Sequence, residues 1–170
     1  MALTRHQIFV WLAHNMEGTQ EVGGPNQGRM VEKFQRAVDG KASKEAYCTG
    51  FQVFLCDEVD ALFKDGIKHQ LPRTEWSLGM WNAAPVRIKI QRPIPGSVML
   101  WRHENTQQGH AGTVKEVMEE LHQCRTTEGN TGAGAGVVRE GDGVWERVRS
   151  WAGEGDMKVL GWLNPWPDNA

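Results

Sequence analysis

One tyrosine and three cysteines are the scarcities of this 170-residue chain. An odd, low cysteine number excludes a disulfide framework and leaves at least one thiol free. No apolar stretch approaches the ~20 residues of a membrane span; the longest runs from Ile8 to Ala13. That run is also too short for a secretory signal, and polar residues follow it without a small-residue cleavage site. Neither sign of charge dominates. Lys and Arg number 19 against 21 Asp and Glu, a net charge of -2, which speaks against a nucleic-acid-binding surface. With 39% hydrophobic and 24% charged residues the chain is not disordered, and its length suits one domain. What it has in quantity is glycine, 20 residues, and tryptophan, 8.

The first half has helical periodicity. Thr4 is a suitable N-cap, and Ile8, Phe9, Leu12 and Met16 share one face of a helix that Gly18 ends. Loop chemistry follows at Glu21 to Gly28. Met30, Val31, Phe34 and Val38 predict a second short helix, stopped at Gly40. Cys48, Phe51, Leu55, Val59 and Leu62 then recur every three or four residues, so Cys48 opens a helix of about four turns, closed by Gly66. Glu75 to Ala84 reads as another short helix. Pro85, Pro93 and Pro95 make the next stretch irregular or edge-like.

From Gly96 the texture is that of strands: Ser97–Arg102, Ala111–Val117, Leu121–Thr127, a stretch around Val144–Trp151, and Met157–Trp162. Gly129 to Gly143 reads as a glycine-rich hairpin connection, and Asn164 to Ala170 as a Pro-rich tail beyond a core of about 5–163. Helices first and strands afterwards predict a single α+β domain with an antiparallel sheet.

Three places could carry chemistry. Cys48, at the first turn of a helix, faces the positive end of the macrodipole and unpaired amides, which favour a nucleophilic thiolate and could stabilise an oxyanion. His110, flanked by small residues in Gly109-His110-Ala111-Gly112 at the mouth of a strand, can serve such a thiol as general base. His6, His14, His69, His103 and His122 read as surface histidines. In Glu128-Gly129-Asn130, alternation along an extended chain points a carboxylate and an amide to one side, suited to orienting an imidazole and donating a hydrogen bond. Trp81, Trp101 and Trp145 are candidates to line a cleft. The glycines around 132–136 lack the Gly-Lys-Ser/Thr ending of a phosphate loop, and Cys56, Cys124 and His122 lack paired zinc-ligand spacing.

Taken together, these blocks resemble the CHAP family of cysteine amidases and peptidases, within the larger NlpC/P60-like, papain-like group. The resembling segments are Glu21 to Glu32, Tyr47-Cys48-Thr49-Gly50-Phe51, Pro95-Gly96-Ser97-Val98 leading to Gly109-His110-Ala111-Gly112-Thr113-Val114, and Thr127 to Thr131 followed by Gly141 to Val144. Tyr47 stands where the family more often has tryptophan, Thr49 where it has alanine, and Thr113 where it has an aliphatic residue.

The resemblance implies a papain-like fold and hydrolysis of an amide bond in peptidoglycan. Cys48 would be nucleophile and His110 base, with Glu128 orienting the imidazole. Asn130 would complete the site, on the histidine or on the oxyanion. The bond would be muramoyl–L-alanine or one within the stem peptide. The family's calcium-binding members use an Asp-rich loop that has no counterpart here, so no metal and no cofactor are expected. The expected partner is bacterial peptidoglycan, with no nucleic acid or membrane, for a monomer made in the bacterial cytoplasm and acting on the wall after release or delivery. A phage endolysin fits this best. A type VI-type amidase effector and a non-catalytic wall-binding relative are the alternatives.

Overall fold

The computed structural model describes residues 2–132 and 141–168. Four helices come first: α1 (Arg5–Met16), α2 (Arg29–Asp39), α3 (Cys48–Leu62) and α4 (Ser77–Ala83). After a single 3-10 turn come six strands: β1 (Lys89–Ile90), β2 (Val98–His103), β3 (Gly109–Met118), β4 (Gln123–Thr131), β5 (Gly143–Ser150) and β6 (Met157–Leu163). They form one antiparallel sheet in the order β1-β6-β2-β3-β4-β5. The class is therefore α+β, as the order of patterns predicts.

Local chemistry accounts for the helix limits. Thr4 caps α1 through a capping box: its hydroxyl accepts from the Gln7 amide at 3.2 Å, and the Gln7 side chain accepts from the Thr4 amide at 2.9 Å. Gly40 ends α2 in the left-handed conformation, φ 84°. α3 stops at Leu62 rather than at Gly66, because Phe63 is already extended. The proline-bounded stretch supplies only the two-residue edge strand β1, paired with β6, where missing amide donors do least harm.

β4 runs further than the sequence predicts. Pairing with β5, Glu128 opposite Trp145 and Gly129 opposite Val144, draws residues through Thr131 into the sheet, so the hairpin connection begins later. Most of that connection, 133–140, lies outside the described residues.

The helices cover one face of the sheet. Phe9, Phe34, Phe51, Leu55, Val98, Leu100 and Ala111 meet there in the main core. The other face carries a smaller cluster of Met99, Trp101, Val114, Cys124, Met157 and Trp162. β2 feeds both by alternation and is buried on both sides.

Two expectations are corrected. The segment after β6 is no loose tail: Trp166 is 1% exposed, packs edge-on against Phe9 and His6, and donates from its indole to Asp60 of α3 at 2.9 Å. Of the histidines taken as surface residues, His6 and His103 are buried, and the side chain of His69 is 4% exposed. His6 bonds Asn164 at 2.7 Å, His69 meets Asp57 at 3.1 Å, and His103 meets Asp156 at 3.2 Å. Each ring gains a hydrogen-bond partner from elsewhere in the chain, although Nδ1 of His6 has none. Removing the tail anchor by Trp166→Ala is expected to destabilise the fold by about 3–5 kcal/mol in urea denaturation, with an unchanged m-value.

Candidate active site

Cys48 occupies the first position of α3, after Tyr47 at the N-cap. Its amide and those of the next residues have no partner within the helix, so they are available to an anion at the same end. The thiol is 4% exposed and opens into a cavity of about 390 Å³ that His110 and Asn130 also line. All three cysteines are free. The other two are 0% exposed, and burial pushes the Cys56 thiol well up and that of Cys124 to about 11, so neither is a nucleophile.

His110 comes from β3. Its Nε2 lies 2.9 Å from Oε2 of Glu128 on β4. Glu128 is 0% exposed, and three further donors reach it: Thr126 Oγ1 at 2.6 Å, and Arg149 of β5 through Nε at 2.7 Å and Nη2 at 2.6 Å. Burial by itself would raise the Glu128 carboxyl. The Arg149 and His110 bonds outweigh it and hold the group well below the usual carboxylate range. An ionised carboxylate only accepts, so Nε2 of His110 carries a proton and donates.

Nδ1 is left for the other neighbour, the Cys48 sulfur, which lines the same cavity and raises the imidazole pKa. Burial would depress the imidazole, yet Glu128 and Cys48 together push it up to about 9. The arrangement favours an imidazolium beside the Cys48 sulfur.

Glycines make this possible at two close approaches. A β-carbon on Gly112 would stand 2.8 Å from Cγ of Glu128, so only glycine leaves room for the carboxylate beneath the histidine. A β-carbon on Gly129 would fall 2.9 Å from that of Phe51, and the bare backbone lets β4 approach the nucleophile helix. These contacts give physical content to the small residues around His110 and Glu128.

Asn130 behaves differently from Glu128. A bulge between Gly129 and Thr131 interrupts simple alternation, and Asn130 sits at φ 56° in the left-handed region. Its side chain is 7% exposed and lines the cavity, and its Oδ1 has no hydrogen-bond partner. The Nε2 position on His110 belongs to Glu128.

The structure thus brings the four residues expected from sequence to one place. It also adds residues that sequence reading misses. Arg149 is 3% exposed and its cation lies over the Trp101 ring, 5.7 Å from the centroid. Nothing in a strand-like Val-Arg-Ser marks it as a buried clamp. His103, read as a surface residue, lines the cavity. Of the tryptophans, Trp101 is buried behind His110, Trp81 packs under Lys89 and Trp145 bonds Asp142; Trp76, at the start of α4, is the one that lines the cavity. No cluster of three His, Cys, Asp or Glu among the described residues is arranged to hold a metal. No family model matches the chain, and neither does any curated protein.

The site makes two measurable differences to stability. The imidazole holds its proton to about pH 9 when folded and to about 6.5 when unfolded. Its stabilising contribution is therefore complete below pH 6.5 and lost as pH rises through 9. Urea midpoints of the native protein should fall across that window more steeply than those of His110→Gln. Arg149→Met leaves Glu128 buried with one cationic partner fewer, and chemical denaturation should register a loss of about 3–5 kcal/mol.

Proposed function

We propose that the protein is a cysteine hydrolase with a papain-like arrangement, acting on an amide bond of peptidoglycan. One observation carries the chemistry: Cys48 at a helix N-terminus shares a cavity with an imidazole whose Nε2 is held by a buried, ionised Glu128. The resemblance of the same blocks to CHAP enzymes supports the substrate class.

In this reading the Cys48 thiolate attacks the scissile carbonyl carbon. The free amides at the start of α3, that of Cys48 first, receive the oxyanion. His110 delivers its Nδ1 proton to the leaving amine, then takes one from the water that hydrolyses the thioester. Glu128 keeps the ring in one tautomer throughout and compensates its charge, and Arg149 keeps Glu128 in place. The role of enzyme, rather than of a wall-binding relative, follows from the intact trio. Action on the wall as a phage-type lysin is the proposed biology, and muramoyl–L-alanine the proposed bond.

Cys48→Ala should abolish release of new amines from purified peptidoglycan while circular dichroism stays unchanged. Retained turnover in the folded variant would end the cysteine-hydrolase reading. Alkylation of Cys48 should inactivate, and chelators should not. Mass spectrometry of the digest assigns the bond: a new amine on stem L-alanine supports the amidase, one inside the stem or cross-bridge an endopeptidase.

The acid and the amide should separate in the same assay. Loss of the orienting acid from a serine triad costs about 10⁴-fold in turnover, and Glu128→Gln should cost somewhat less because a thiol ionises more readily than a hydroxyl. Asn130→Ala should cost about 10- to 100-fold, the loss of one hydrogen bond in a closed site. The opposite order of severity would exchange their roles.

A further inference from the structure

We propose that the cavity beside Cys48 contains a subsite for a cationic group, a primary ammonium on the substrate held by Glu45, Glu75 and the ring of Trp76. Resting on the hydrolase reading above, it narrows the substrate to an amide whose near neighbourhood carries a free amine.

The charges in the cavity are unbalanced. Its three cationic candidates are already engaged: Arg149 with Glu128 and Glu154, His110 with Glu128, and His103 with Asp156. Glu45 and Glu75 line the same cavity from separate segments, one before α3 and one before α4. Neither has an ion-pair partner among the described residues, and the Glu45 carboxylate accepts only from the Ser43 amide among them, at 2.7 Å. Two uncompensated negative charges in a concave site attract cations and repel a carboxylate ligand.

A second observation is independent of those charges. Asn130, 7% exposed, presents to the cavity an Oδ1 with no hydrogen-bond partner. A buried acceptor left unpaired is costly, and a ligand that brings N–H groups would satisfy it. An ammonium brings three donors and no acceptor. Trp76 adds the fitting surface. It is 52% exposed although it lines the cavity, and an accessible indole face beside carboxylates is a favourable seat for an ammonium.

The test uses the nucleophile as a reporter of local charge. Aminoethyl methanethiosulfonate is cationic and sulfonatoethyl methanethiosulfonate anionic. With either, the Cys48 thiolate attacks the reagent's thiol sulfur, forms a mixed disulfide and expels methanesulfinate. Relative to free cysteine, the folded protein should prefer the cationic reagent by about 10-fold, followed by mass spectrometry of the Cys48 peptide. Glu45→Gln/Glu75→Gln should remove most of that preference, with near-ultraviolet circular dichroism as the folding control. Glu75→Gln alone should remove about half and serves if the double variant does not fold. Equal rates in the native protein, or a preference untouched by these variants, would overturn the subsite.

A second arm separates this proposal from the substrate reading. Peptidoglycan with its amines acetylated should show kcat/KM about 10-fold below reductively dimethylated peptidoglycan, which keeps the charge; the double variant should not distinguish them. If no peptidoglycan is cut while the reagent preference holds, the substrate class falls and the cationic subsite stands. If peptidoglycan is cut but neither reagent charge nor acetylation matters, the subsite falls alone.

Discussion

A carboxylate sealed from water governs the architecture around the site. Glu128 ionises at 0% exposure, which would be prohibitive without compensation, and four hydrogen bonds supply it. Together they draw on three strands. β3 must bring His110, β5 must bring Arg149, and β4 itself adds Thr126. Gly112 must lack a side chain so that the carboxylate can lie beneath the histidine. The direction of the His110 ring follows: with Nε2 committed to Glu128, Nδ1 is the atom left to meet Cys48.

Thiol and imidazole come from different layers. Cys48 belongs to the helical layer and His110 to the sheet, so their contact depends on how closely α3 settles on β3 and β4. The Gly129–Phe51 approach sets that spacing on one side, and the α3 end is held from below by Asp60 and Trp166. A single extra methyl group at Gly129 would lift the helix that carries the sulfur. The geometry of the pair is thus a property of the packing between layers rather than of either element by itself.

Much of this was legible in the chain before the structure. The α1 cap, the four-turn helix opened by Cys48 and the strand class of the second half follow from local periodicity and capping chemistry, which are short-range signals. Cys48, His110 and Glu128 could be picked out because small residues and helix ends mark them locally. Arg149 could not: its meaning lies in a register that places it against a residue of another strand. His6, His69 and His103 misread as surface groups for the same reason, since each meets a partner that only folding supplies. Asn130 does reach the cavity, but through a bulge that breaks the alternation and has no sequence signature here.

The bond between His6 and Asn164 joins positions 158 apart, and the one between Asp60 and Trp166 joins positions 106 apart. Both help to seal the helical layer. Contacts of such separation demand closure of a long loop before they return any stability, and chains rich in them fold slowly. The helices that carry the cysteine therefore have no finished core until the last strand and the residues beyond it arrive. During synthesis the Cys48 thiol would sit on an incomplete scaffold, and its approach to His110 would be completed late and cooperatively, when α1 and the residues after β6 meet.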